Sequence, residues 1–275
     1  MAVKFTIQGL LIYATIAAYL ISFAATLLRQ RKIGTVTYFL AFLIACASIA
    51  YRWFDVRHIP MQNLFEVFLF LGALIYPISI FCNRVLKVGA IAADVLIGVI
   101  VLIPAGFFFN AELQQLPPAL QSWLFGPHVL VYILSYVLMA KAAVQAVLQL
   151  VARPSWPCLH GLEARATEAV DSLNPEQATY RMVCAGFPLL TLGLILGSVW
   201  GQNAWGDWWG WDPKELWSLA SWLVYVAYFH FRYMFAKRFP RINSLLAIAG
   251  LLVIIITLLW VNLSRLFLGM HSYAM

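Results

Sequence analysis

Trp200-Gly201-Gln202-Asn203-Ala204-Trp205-Gly206-Asp207-Trp208-Trp209-Gly210-Trp211-Asp212-Pro213-Lys214-Glu215 holds five of the chain's eleven tryptophans in sixteen residues. Tryptophan offers a large, rigid, flat face and one N–H donor, and it favours membrane–water boundaries and flat ligands. Gly201, Gly206 and Gly210 remove side chains between the rings. The backbone there can turn sharply or approach a ligand closely. Asp212-Pro213 supplies an N-cap aspartate and a first-turn proline for the apolar stretch that follows. A lone tryptophan at a membrane edge is an anchor. A Trp/Gly cluster this dense, closed by Asp-Pro-Lys-Glu, points instead to binding of a large planar ligand.

The elements that must carry this stretch follow from composition. Apolar residues make up 63% of 275 positions and charged residues 11%, with a mean hydropathy of +0.85. A soluble domain is nearer half apolar and a quarter charged. The chain reads as one all-α integral membrane domain over residues 1–275, a bundle of about eight spans. A span needs roughly 20 mostly apolar residues, and such runs fall near 6–28, 35–53, 63–82, 89–109, 127–151, 181–200, 214–236 and 243–265. Twelve basic residues lie in the connections 1–2, 3–4, 5–6 and 7–8 or at their edges. Five (Lys4, Arg52, Arg57, Lys214 and Arg265) lie on the other side. Basic residues collect in cytoplasmic loops. Both termini and the Trp-rich loop, about 200–216, are therefore expected outside, and a long loop, about 152–180, inside, with a short amphipathic helix across Leu162–Leu173.

The same topology accounts for the net charge of +7 and removes the case for nucleic acid; the lipid bilayer is the partner it implies. The first apolar run precedes its basic cluster and is longer than a signal core, so it reads as a retained helix. Cys46, Cys82, Cys158 and Cys184 form no Cys-x-x-Cys pair, and no disulfide is expected. Cys158-x-His160 is a weak metal signal without further ligands. The lack of a Gly-x-x-x-x-Gly-Lys-Ser/Thr loop argues against an ATPase.

Topology also sorts the five histidines. His128 begins span 5 and His271 follows span 8, so both reach the side of the Trp-rich loop. Two imidazoles suit a haem iron held from both faces, with the aromatic loop along the porphyrin edge. His58 lies just after span 2, near the outer interface. His230 lies some 17 residues into span 7, about 25 Å down a helix, beside Arg232 at the opposite end. His58 and His230 are therefore not expected to share one iron. A haem on His58 takes its second ligand from elsewhere, and His230 reads as an interfacial residue with no iron. Glu66, Asp94 and Lys141 fall inside apolar spans, where ionisable groups face the bundle interior. Each either pairs there or lines a ligand route.

Trp205-Gly206-Asp207-Trp208-Trp209-Gly210-Trp211-Asp212-Pro213-Lys214-Glu215, with Trp217 and Trp222-Leu223-Val224-Tyr225, resembles the WWD signature of haem-handling membrane proteins. The Trp-Asp-Pro-Lys-Glu ending, the eight spans and Gly269-Met270-His271-Ser272-Tyr273 resemble the CcsA/ResC type of System II cytochrome c biogenesis protein, from about Arg52 to Tyr273. The resemblance implies a cytochrome c synthase subunit that works with a separate CcsB/ResB-type membrane subunit. It moves haem b outward and attaches it to apocytochrome c at Cys-x-x-Cys-His, with a thiol–disulfide reductant as a further partner. It implies His128 and His271 as the external iron ligands and His58 as the inner one, shared with the partner subunit. In the segment Arg57-His58-Ile59-Pro60-Met61-Gln62 the family more often has Gly-His-Phe-Pro-Leu-Ser.

Trp205, Trp208, Trp209, Trp211 and Asp212 then position the haem, with Trp200, Gly206 and Gly210 completing its seat. Asp212, Lys214 and Glu215 either cap the following helix or meet the propionates, and capping is the expected role of Asp212. Other classes of reading are a haem exporter that feeds a separate chaperone and a structural subunit that uses the loop as an interface. The bacterial inner membrane is the expected location, and a thylakoid is also compatible.

Overall fold

The computed structural model describes residues 6–151, 174–235 and 238–263. The described residues are all-helical and contain no strand. Eight main helices follow one another: α1 (Ile7–Leu27), α2 (Arg31–Val56), α3 (Leu64–Phe81), α4 (Ile91–Phe107), α5 (Phe125–Val151), α6 (Pro175–Trp205), α7 (Pro213–Phe235) and α8 (Pro240–Ile255). A π-helical turn, Cys82–Leu86, extends α3, and Ile256–Trp260 followed by Val261–Leu263 extends α8.

With these extensions, six helices among the described residues are long and apolar enough to cross a membrane. Ile91–Phe107 is apolar but only 17 residues long. α7 is long enough, but its Tyr, Trp and His content lowers its hydropathy. Such aromatic residues concentrate at membrane interfaces. The protein is an integral membrane protein.

Two compact units divide the chain. The first covers residues 6–81 and Gly89–Gln121, with α1 to α4; the second covers Cys82–Val88 and the described residues from Ser122 onward, with α5 to α8. In the first unit α1 packs on α2 and α4, and α3 packs on the same two helices, which closes a four-helix ring. Helices in lipid gain from close packing and interhelical hydrogen bonds rather than from the hydrophobic effect. Tyr19 Oη–H accordingly donates to the Gly72 carbonyl at 2.8 Å, Tyr13 Oη–H to Gly106 at 2.8 Å, and Gln8 Nε2–H to Ser48 Oγ at 2.7 Å. Asp94 resolves as a buried carboxyl that accepts from Ser79 Oγ–H.

In the second unit α5 and α6 share the most extensive contact, and α8 packs on α5 and α7. Lys141 is buried on α5. Arg232 near the end of α7 grips Glu176 at the start of α6 with two hydrogen bonds, 2.7 and 3.1 Å, and stacks over Tyr180 at 3.6 Å.

Two boundaries differ from the sequence expectation. α6 begins at Pro175 inside the expected 152–180 loop, because Asn174 caps it through Glu176 N–H and Pro175 takes the first helical position. It also runs through Trp200 to Trp205, so the irregular part of the expected 200–216 loop shrinks to residues 206–212. Gly206 ends the helix at φ 86°, with its N–H on the Gln202 carbonyl. Left-handed backbone of this kind costs glycine least, since it has no Cβ. The expected Leu162–Leu173 helix, Cys158, His160 and His271 lie outside the described residues.

Candidate functional site

The site in the second unit is built on one face of α6. Gly193, Gly197 and Gly201 recur every four residues and so line one side of the helix. Each admits a close neighbour. A Cβ on Gly193 would meet the Tyr132 ring at 3.0 Å, one on Gly197 would meet His128 Cε1 at 2.6 Å, and one on Gly201 would meet the Asp207 carbonyl at 3.3 Å. His128, in the first turn of α5, is thereby laid against α6. Its Nδ1 lies 3.0 Å from the Gly193 carbonyl.

A carbonyl only accepts, so Nδ1 carries the proton, and in the neutral ring the lone pair is on Nε2. Metal-binding histidines are fixed in this way, by an N–H···O=C bond from the other nitrogen. The ring stacks on Trp200 with centroids 5.9 Å apart and planes 23° apart, and meets Tyr132 edge-on at 5.1 Å. His128 is half-buried, whereas Trp200 is buried.

The Trp-rich loop folds back over the end of the same helix. Trp205 stands edge-on to Trp200 at 4.8 Å, and Ser198 Oγ–H donates to the Trp208 carbonyl at 2.8 Å. Trp208 and Trp211 are 59% and 67% exposed. Trp209 meets Trp211 edge-on at 6.1 Å, and its Nε1–H is buried with no hydrogen-bond partner among the described residues. Leaving such a donor unmet costs roughly 1–3 kcal/mol.

Asp212 Oδ1 accepts Lys214 N–H at 2.9 Å and Glu215 Oε2 accepts Asp212 N–H at 3.1 Å, a capping box at the start of α7. Both side chains cap α7 through these bonds.

The same close approach gives a test. Alanine at Gly197 drives its methyl into the His128 ring, which the Gly193 carbonyl and Trp200 hold from other directions. Overpacking of this kind costs about 1–3 kcal/mol. Gly197→Ala is expected to lower thermal stability in detergent and to weaken whatever His128 binds, while Gly206→Ala strains only the backbone.

His58 belongs to the first unit and sits in a different setting. Arg57 ends α2 in left-handed backbone, φ 62°, and turns the chain into the His58 loop. Arg52 lies beneath it, 3% exposed, against Glu66, 1% exposed. Nε and Nη2 of Arg52 both reach Glu66 Oε1 at 2.9 Å, while Nη1 and Nη2 donate to the carbonyls of Ala111 at 2.7 Å and Glu112 at 3.1 Å. Glu66 Oε2 accepts Gln62 N–H at 2.9 Å, and Asn63 Oδ1 accepts Glu66 N–H at 3.0 Å. The residues after α4 are thus strapped across the His58 loop. His58 Nδ1 lies 3.1 Å from its neighbour's Ile59 carbonyl, and Nε2 lies 3.4 Å from the Gln114 carbonyl.

His230 is exposed on α7 and its Nδ1–H donates to Val226 O at 3.1 Å. Sequence reading missed Gly193, Gly197, Ser198 and the Arg52–Glu66 pair. The Gly-x-x-x-Gly-x-x-x-Gly spacing was the available signal for the first two.

The fold defines an all-helical integral membrane protein with an aromatic loop set beside a carbonyl-anchored histidine. Residues 7–268 match the family described as Cytochrome C assembly protein. A cytochrome c biogenesis protein CcsA from Prochlorococcus marinus (strain MIT 9303) is 36% identical over 264 residues, 85% of this chain and 81% of its own length. One from Synechococcus sp. (strain CC9902) is 34% identical over 262 residues, 84% of this chain and 83% of its own.

The chain therefore belongs to the cytochrome c assembly family, and within it to the CcsA type. A solved structure named Cytochrome c Heme Lyase CcmF shares the fold, with a TM-score of 0.65 and 20% identity over 92% of this chain. The match spans 46% of that longer chain.

Proposed function

We propose that this chain is the haem-handling membrane subunit of a cytochrome c synthase. It takes haem b as substrate, carries it to the outer face and presents it for covalent attachment to apocytochrome c at Cys-x-x-Cys-His. The observation that carries the reading is the seat of His128. Its Nδ1–H is committed to the Gly193 carbonyl, which puts the ring's lone pair on Nε2, and the ring stacks on Trp200. A carbonyl-anchored imidazole, flat aromatic walls and an unmet N–H on Trp209 fit a metalloporphyrin with carboxylate edges.

In this reading His128 and His271 hold the external iron, and Trp205, Trp208, Trp209 and Trp211 orient the ring. Trp200 backs His128, Gly206 and Gly210 shape the loop, and Asp212 fixes its exit as a helix cap. The whole chain acts as one haem-handling domain. The side rich in basic residues faces the cytoplasm of a bacterial inner membrane, and a CcsB/ResB-type subunit completes the enzyme.

Each cysteine thiol adds across a vinyl group. A sulfur–carbon bond forms at one vinyl carbon and the thiol proton ends on the other, so no electrons are transferred overall. The thiols must arrive reduced, which requires a thiol–disulfide reductant. Orientation is the main lever, since it turns an encounter into an effectively intramolecular reaction. The test is co-expression with a CcsB/ResB-type subunit and a reporter apocytochrome in cells lacking their own system. Haem that stays on the reporter through denaturing electrophoresis is the expected result. Exported haem without covalent cytochrome supports an exporter instead, and purified protein without haem supports a structural subunit.

For the inner site His58 is the ligand implied by the family resemblance, and a specific observation favours a second candidate. A ligand shared with a partner subunit must be reachable from outside the chain. His230 is exposed and, with Nδ1–H on Val226, has its lone pair on Nε2. His58 is half-buried, and Nε2 has the Gln114 carbonyl 3.4 Å away. Haem spectra of His58→Ala and His230→Ala complexes separate the two. Loss of the inner haem signal in one variant alone assigns the ligand.

A further inference from the structure

Trp208 to Trp211 is tied down at both ends. On the α6 side Ser198 Oγ–H holds the Trp208 carbonyl at 2.8 Å. On the α7 side a single carboxylate oxygen, Glu215 Oε2, accepts Gly210 N–H at 2.8 Å as well as Asp212 N–H at 3.1 Å. The residue between those two amides, Trp211, has φ 57°, a conformation uncommon for any residue but glycine and most unusual for a bulky one. Two amides flanking a left-handed residue form a concave nest for an anionic oxygen.

Glu215 fills that nest from the first turn of α7, where a capping box alone would need only the Asp212 bond. The additional bond to Gly210 pins the backbone on both sides of Trp211. It thereby fixes the stance of the 67% exposed Trp211 ring against Trp209.

We propose that Glu215 is a positioning residue for the outer haem site, clasping the loop so that the Trp209 and Trp211 rings stand where the substrate meets them. The inference rests on the reading of that site given above. The clasp requires an acceptor at this reach and no charge, because one oxygen makes both bonds. A glutamine carbonyl can replace it, whereas alanine has no acceptor and lysine has only donors. A group that acted by its charge, on a propionate, a proton or a partner's cation, would fail as glutamine.

Two measurements on the full chain with its CcsB/ResB-type subunit decide this. The first is amide hydrogen exchange of residues 210–212 in haem-free protein. Protection is expected in the wild type and in Glu215→Gln, and its loss in Glu215→Ala and Glu215→Lys. The second is external-site haem absorption together with the yield of covalent cytochrome. Glu215→Ala and Glu215→Lys are expected to fall at least tenfold, and Glu215→Gln to stay within about twofold of wild type, the scale set by losing two hydrogen bonds in the first pair and keeping both in the last.

Unprotected amides in the wild type overturn the clasp. Exposed amides in Glu215→Ala with undiminished haem and yield overturn the positioning role. Glu215→Gln as impaired as Glu215→Ala overturns the acceptor mechanism, and this comparison with wild type stands even if the alanine chain does not accumulate. A wild-type complex without external haem sinks the outer-site reading instead, and with it the positioning role, while hydrogen exchange still decides the clasp.

Discussion

His128→Ala is expected to remove the external haem and to lower the yield of covalent cytochrome c by at least about 100-fold, since losing even an outer-shell partner of a metal ligand costs 10–100-fold. The loss is local for a structural reason. His128 occupies the first turn of α5 and its ring fills a space over Gly197, so alanine removes a half-buried ring without breaking a helix. Protein abundance and the inner-site haem signal are expected to persist. Haem still held by the remaining external ligand becomes five-coordinate and high-spin, which absorption spectroscopy reads directly. His271→Ala is expected to give the matching spectrum. Unchanged bis-histidine absorption in both variants sinks the external-site assignment. Trp200→Leu offers an intermediate case, because it keeps Nε2 and the Gly193 bond while it removes the stacked face at 5.9 Å together with the Trp205 and Phe125 contacts of the same ring.

Arg52→Ala is expected to destabilise the protein by about 3–5 kcal/mol, the cost of breaking a buried ion pair from one side. Both partners lie under 4% exposed. Removing the guanidinium leaves the Glu66 carboxylate buried with the Gln62 amide, and it releases the carbonyls of Ala111 and Glu112. The extended residues after α4 and the loop that carries His58 should loosen together. Equilibrium unfolding in detergent measures the loss, and hydrogen exchange over 110–115 and 57–63 locates it. A cycle with Glu66→Gln separates the pair's coupling from the loop bonds, which depend on Arg52 alone. Stability unchanged in Arg52→Ala would contradict the clamp.

Much of the helical plan was legible in the chain because the bilayer imposes it. Backbone polar groups in lipid must be met within the segment, so each long apolar run has one solution. The Asp212-Pro213 start of α7 was legible too, since capping depends on the few residues beside it. Helix ends set by packing were not. The apolar count falters at Gly201-Gln202-Asn203, yet α6 continues to Trp205 because Trp200 and Trp205 pack together and Gly206 supplies the left-handed stop.

The sequence by itself was enough to bring His128 to the tryptophan-rich segment, because the order of spans starts α5 at the end where α6 finishes, and His128 does stack on Trp200. It could not determine how a histidine is held. The tautomer of His128 depends on the Gly193 carbonyl, 65 residues away, and its position depends on the missing side chain of Gly197. It could not decide whether Glu66 pairs in the bundle or lines a route, since Arg52 reaches it only once α2 and α3 are packed. Nor could it distinguish the exposed ring of His230 from the half-buried ring of His58. Spans follow from local hydrophobicity, which is written residue by residue. Ligand geometry follows from contacts between segments far apart in the chain, and only the packed structure creates those.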